Sequence, residues 1–134
     1  MTSIPIRPVG LRLALLLALA GLLGWLMLTI SRAAVGDGYA TYVERNSNLS
    51  DEARRAGADT AVRYAPHDPL VRWQRGGVYL TAAAEEQNET YLQTAVTELR
   101  EAARLSPSDY RLWLTLGRAL ERNGAQSEAR GHAN

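Results

Sequence analysis

The chain has 134 residues, a formal net charge of +1 and fifteen basic residues, all of them arginine. This length leaves room for one membrane anchor and one domain of about 100 residues, but not for a second folded unit. The sequence contains no cysteine, which excludes disulfides, thiolate nucleophiles and cysteine-ligated metals. The residues after Ser31 include thirteen arginines and fourteen acidic residues. This nearly neutral charge argues against nucleic-acid binding, which needs a surplus of basic residues.

The first long feature is an uncharged apolar run over residues 13–30. With its flanks it is long enough to cross the roughly 30 Å of hydrocarbon in a bilayer, so it predicts a transmembrane helix over residues 13–32. A cleavable secretory signal is the alternative, because Ser31-Arg32-Ala33 fits a small-x-small cleavage site. The run is longer than the apolar core of a signal, which favours a retained anchor.

Arginines before the span set the predicted orientation. Arg7 and Arg12 precede it, whereas Arg32 and Arg45 follow it together with acidic residues. Arginine usage without lysine is typical of GC-rich bacterial coding. We therefore expect a bacterial inner-membrane protein with a cytoplasmic tail at residues 1–12 and a periplasmic domain at residues 33–134.

Small residues recur within the span. Ala14, Ala18 and Gly21 share one helical face, and Ala20 and Gly24 form a second small pair. Such residues let transmembrane helices pack closely, so this face is a candidate contact with another membrane protein. The alternative is that alanine and glycine are simply common in bacterial spans.

Apolar periodicity and turn residues predict an all-α domain after the span. We expect Gly36-Asp37-Gly38 to break or kink the chain, Ser50 to cap a helix, and Gly124 to end the last full helix. The adjacent Gly76 and Gly77 predict close approach of a neighbouring backbone. The predicted helices cover residues 33–46, 51–65, 70–84, 91–105 and 110–124, and residues 126–130 remain for a sixth.

Two similar turns, Pro66-His67-Asp68 and Pro107-Ser108-Asp109, each precede a helix that carries a tryptophan. The second copy resembles the tetratricopeptide repeat, a 34-residue helix-turn-helix unit. The matching residues are Trp113, Leu116, Gly117, Leu120, Gly124, Glu128 and Ala129; Trp73, Gly77 and Leu80 match in an earlier copy that is seven residues longer. The resemblance implies a short stack of helical hairpins, with about five helices, and a concave groove lined by the first helix of each repeat.

Five polar residues fall on those first helices: Gln74, Arg75, Arg111, Arg118 and Arg122. They would give the groove a positive wall, and arginine pairs well with carboxylates, so an acidic peptide or loop is the expected ligand. The alternative is a solvated charged face offset by nearby acidic residues such as Glu121.

The short segment after Gly124 predicts that Leu112, Leu116 and Leu120 lack a full covering helix. Terminal repeats usually need such a cover, so either a partner completes the stack or the end frays.

No catalytic or metal-binding set is apparent, because His67 and His132 have no second ligand at a suitable spacing. We therefore expect no enzymatic activity and no cofactor. The expected function is a scaffold or accessory subunit of an inner-membrane complex. The alternative is an accessory or regulatory protein of a cell-surface polysaccharide polymerase or ligase.

Overall fold

The computed structural model describes residues 9–46 and 48–131, and side chains at residues 10–46 and 48–125. Within these ranges the regular secondary structure is all α-helix, with no strand, which confirms the predicted fold class. The helices are α1 (Val9–Arg45), α2 (Asp51–Tyr64), α3 (Pro69–Glu85), α4 (Glu89–Leu105) and α5 (Tyr110–Gly131).

The chain divides into two compact units, residues 1–32 and residues 33–134. In the first unit, the described part of α1 is long and apolar enough to cross a membrane, and its large apolar side chains are exposed all round the helix. A helix that is apolar on every side is typical of a lipid-exposed span. Residues 1–8 of the predicted tail lie outside the described residues, and residues 9–12 belong to α1.

The predicted break at Gly36-Asp37-Gly38 is wrong, because α1 continues through these residues to Arg45. Gly36 packs directly on α2: a Cβ atom placed there would lie 2.5 Å from the Cβ of Ala65 and 3.1 Å from the carbonyl oxygen of Ala61. Close packing against α2 thus offsets the low helix propensity of glycine at this point.

Polar side chains cap the N-termini of α2, α3 and α4. Ser50 Oγ accepts a hydrogen bond from the backbone N–H of Ala53, as expected from the sequence. Asp68 and Asn88 do the same at α3 and α4, each accepting from two backbone N–H groups. These bonds satisfy N–H groups that have no partner inside the helix.

Two cores hold the second unit together. The first joins the end of α1 to α2 and α3 through Ala40, Ala61, Ala65 and Val71. The second joins α4 to α5, with partly buried side chains of α3 packed against it; its members are Val96, Leu99, Ala102, Ala103, Leu112, Leu116 and Ala119. Helix α3 is therefore the element that both cores share.

Helix α5 runs to Gly131, so the expectation that Gly124 ends it is wrong. No described glycine has the positive φ angle of a glycine C-cap, and the helix simply continues through this position. The residues left for a sixth helix belong to α5 as far as Gly131.

Candidate partner-binding cleft

A cleft of about 450 Å³ opens between four helices of the second unit. Its floor is made by small or branched apolar side chains: Ala40 and Val43 of α1, Ala58 of α2, and Val71 and Val78 of α3. The volume lies within the range of ligand pockets, and three of the lining residues, Ala40, Ala58 and Ala61, have small side chains. The lining suits an apolar group.

Trp73 forms one wall of the cleft and links α3 to α5. Its indole Nε1 donates a 3.0 Å hydrogen bond to Thr115 Oγ1, which also lines the cleft. The rest of the ring packs against the core shared by α4 and α5. A change at Trp73 would therefore alter both the cleft wall and the fold.

Gln74 is one of five polar or charged residues in a lining that is otherwise apolar; the others are Glu44, Arg54, Arg75 and Thr115. Its Nε2 donates a 3.1 Å hydrogen bond to Glu44 Oε2 on α1. Its Oε1 is buried, and no described group donates to it. A buried acceptor without a partner costs about 1–3 kcal/mol, so a ligand that donated a hydrogen bond here would gain by satisfying it.

Arg75 does not form the free positive wall expected from the sequence. Its Nη1 donates to Glu98 Oε1 at 2.5 Å, and its Nε donates to Asp59 Oδ1 at 2.8 Å. Burial alone would lower the pKa of Arg75, but the hydrogen bond to Asp59 and the charge of Glu98 raise it overall. This guanidinium is thus neutralised within the fold.

Glu98 is the centre of this ion-pair network. It is 5% exposed and also accepts a 2.9 Å hydrogen bond from Arg72 Nη1. Tyr79 donates to Asp59 at 3.0 Å, and burial, with that hydrogen bond, raises the pKa of the Tyr79 hydroxyl. Sequence analysis missed this network, although a glutamate between Ala95 and Ala102 on an apolar helical face was its signal.

The remaining predicted groove residues lie on α5. Arg111, Arg118 and Arg122 are spaced four before, three after and seven after Thr115, so they share its side of the helix. Arg111 pairs with Asp109 at 2.7 Å, which lowers the pKa of that carboxyl group. Among the described residues, no carboxylate pairs with Arg118 or Arg122, which leaves these two for a ligand.

The predicted uncovered surface of Leu112, Leu116 and Leu120 is wrong for its first two members. Leu112 is 1% exposed and Leu116 is 6% exposed, because both pack against α4. Leu120 is 37% exposed. The open apolar surface of α5 includes Leu120 and extends to Trp113 and Leu114, which are 50% and 53% exposed, away from the buried side of Leu112 and Leu116.

The small-residue face of α1 and the two histidines remain to be placed. Ala14, Ala18 and Gly21 are exposed on α1, and a Cβ at Gly21 would meet no described atom within 4 Å. Their role as a packing face remains a prediction. His67 lies in the turn before α3, and His132 lies outside the described residues.

No protein-family model, curated protein or solved structure matches this chain.

Proposed function

We propose that this protein is a membrane-anchored protein-interaction module that serves as a scaffold or accessory subunit of a bacterial inner-membrane complex. Helix α1 anchors it, and a segment of a partner protein binds in the cleft. The observation that carries the proposal is the mostly apolar cleft, whose lining includes Gln74, a side chain with a buried Oε1 that has no described donor. The arginines that precede the span favour a periplasmic location for residues 33–134.

The lining of the cleft indicates the chemistry of the bound segment. An apolar side chain fills the space above Ala58 and Val78, and a backbone N–H of the segment donates to Gln74 Oε1. An acidic residue beside it pairs with Arg118 or Arg122 on α5, because arginine binds carboxylates through charge-assisted hydrogen bonds. The segment is thus an apolar and acidic peptide or loop.

The arrangement of helices supports a tetratricopeptide-like assignment for this module. Helices α3 and α5 each follow a Pro-containing turn, and each carries a tryptophan whose indole donates a hydrogen bond, from Trp73 to Thr115 and from Trp113 to the Pro107 carbonyl. In repeat proteins of this kind, stacked hairpins create extended binding surfaces. A partner segment in the cleft is consistent with that architecture.

Gly77 provides the test. It lines the cleft, and a Cβ at this position would meet no described atom within 4 Å, so a side chain can be added without a clash. In Gly77→Leu the new side chain occupies the cleft in place of the partner. We expect a partner protein to copurify with the full chain from gently solubilised membranes, and to be lost from Gly77→Leu.

Gly117→Leu is the matched control, because Gly117 is equally open but lies outside the cleft lining. It should retain the partner. A wild-type chain that migrates without any stoichiometric partner would contradict the proposed function, as would a partner that Gly77→Leu retains. Size separation followed by mass spectrometry distinguishes these outcomes.

A further inference from the structure

Helix α5 has a second apolar face that no described residue covers. Tyr110, Trp113 and Leu114 are 75%, 50% and 53% exposed, and Leu120 continues the same face two turns after Trp113. Gly117 lies at the middle of this face and Gly124 at its end, since they are four and eleven residues after Trp113. We call these six residues the α5 face.

The two glycines make hollows on the α5 face. A Cβ built at Gly117 or at Gly124 would meet no described atom within 4 Å. Packed helices normally lie 8–10 Å apart, and glycine at the contact allows the closer end of that range. Tyr110, Trp113 and Leu114 thus stand at one end of the face, and Leu120 lies between the hollow at Gly117 and the hollow at Gly124.

This pattern is self-complementary. Consider a second copy of α5 running antiparallel, related by a twofold axis near the midpoint between Arg118 and Ala119. Trp113 of each copy then faces Gly124 of the other, and Leu120 of each faces Gly117 of the other. A twofold interface uses the same patch on both copies, so each large side chain finds a hollow twice.

We propose that the α5 face is the interface of a twofold-symmetric homodimer, with the two α5 helices antiparallel. It uses a different side of α5 from the cleft: Thr115, in the cleft wall, and Gly117 are about 200° apart around the helix axis. A dimer therefore leaves both clefts open, and Arg122, on the same side of α5 as Thr115, stays outside the interface.

Charges at the edge of the α5 face favour the antiparallel arrangement. Arg118 and Glu121 are both exposed, and neither has a described ion-pair partner. In the antiparallel register, Glu121 of one copy lies about 3 Å along the helix axis from Arg118 of the other, which allows two reciprocal ion pairs. A parallel pair would instead oppose Arg118 to Arg118, Glu121 to Glu121 and Trp113 to Trp113.

The membrane anchor explains how an interface of one helix pair can hold the homodimer together. One pair of helices buries less surface than the roughly 1,200 Å² typical of stable complexes, so isolated domains would associate weakly. Two copies held in one membrane by α1 meet at a much higher effective concentration. We therefore expect the dimer with the full chain in membranes.

Single cysteines test the register directly, because the chain has no cysteine of its own. In the proposed dimer the two Gly117 positions are offset by about 4.5 Å along the axis, which suits a disulfide, whereas the two Leu114 positions are offset by about 13.5 Å. Oxidation of the full chain in membranes with copper phenanthroline should cross-link Gly117→Cys. It should not cross-link Leu114→Cys, nor Arg104→Cys on the exposed side of α4. Cross-linking of Leu114→Cys, or of neither α5 variant, would overturn the proposal.

Gly117→Leu tests the hollow itself. The added side chain meets nothing within its own chain, so helix content should be unchanged, but it fills the hollow that Leu120 of the other copy needs. We expect the full chain in membrane vesicles to change from dimer to monomer, as measured by single-molecule photobleaching of a fluorescent label on each copy. Gly77→Leu, the matched control, should remain dimeric. A wild-type monomer, or a Gly117→Leu chain that stays dimeric through its span, would contradict the α5 interface.

Discussion

At the scale of single residues, the adjacent glycines of α3 have opposite environments. A Cβ at Gly76 would lie 2.7 Å from Leu99 Cγ and 3.4 Å from the carbonyl oxygen of Ala95. A Cβ at Gly77 would meet no described atom within 4 Å. The pair of glycines predicts close helix packing, and the packing occurs at Gly76 alone. The sequence does not distinguish Gly76 from Gly77, because the difference lies in which of them faces α4 in the folded chain.

This contrast predicts opposite effects of the same substitution. Gly76→Ala should lower the free energy of unfolding by about 1–3 kcal/mol, because the new methyl group forces Leu99 and α4 to move. Gly77→Ala should raise it by up to about 1 kcal/mol, because alanine has the higher helix propensity and no clash occurs. Denaturant unfolding of the full chain in detergent, followed by circular dichroism, measures both. Equal effects of the two substitutions would contradict the different environments.

At the scale of helices, a buried carboxylate connects α3 to α4. Glu98 of α4 accepts hydrogen bonds from Arg72 and Arg75 of α3, and Asp59 of α2 takes the second donor of Arg75. The network thus joins three helices beside the apolar cores. Because Arg75 is paired with Glu98 and Asp59 in this network, it is not available to bind a ligand.

We expect Glu98→Gln to destabilise this junction. The amide cannot neutralise two guanidinium groups, which are left close together with like charge. Removing one partner of a buried ion pair costs about 3–5 kcal/mol, and we expect about 2–3 kcal/mol because both arginines retain some contact with water. Thermal unfolding of the full chain in detergent tests this value.

Glu101→Gln on the same helix is the control. Glu101 pairs with Arg104 one turn away, and the Arg104 side chain is 66% exposed. Exposed pairs of this kind contribute little to stability, so the unfolding curve should barely change. If Glu98→Gln behaved like this control, Glu98 would not be the centre of the network.

At the scale of the whole molecule, residues 33–134 have two cores of their own. Among the described side chains, those of residues 10–32 contribute nothing to these cores. We therefore predict that a fragment of residues 33–134 folds without the span and unfolds cooperatively, as measured by circular dichroism and by the width of its thermal transition.

The matching control removes α5. A fragment of residues 33–105 lacks Leu112, Leu116 and Ala119, so Leu99 and Ala103 of α4 lose the side chains that cover them. It should lose cooperativity or aggregate, because exposed core surface is not offset by any new contact. A shorter fragment as stable as the longer one would show that α5 is not part of the core.

The sequence by itself determined the helical class, the apolar span and most helix starts. These properties depend on which residues lie near one another in the sequence. The signals are an uninterrupted apolar run, apolar residues at three- and four-residue spacing, and capping side chains such as Ser50 and Asp68. The glycine signals at Gly36 and Gly124 gave wrong helix ends. At Gly36 packing against α2 keeps the helix continuous, whereas at Gly124 the helix continues although a Cβ there would meet no described atom within 4 Å.

Only the tertiary structure decided which side chains are exposed or unpaired, and so available to bind a partner. It buried Leu112 and Leu116, engaged Arg75 with Glu98 and Asp59, and left the Oε1 of Gln74, a residue of the cleft lining, buried without a described donor. Each outcome depends on residues distant in sequence that meet across helices. Burial and charge pairing are properties of such contacts, so they cannot be read from spacing along one helix.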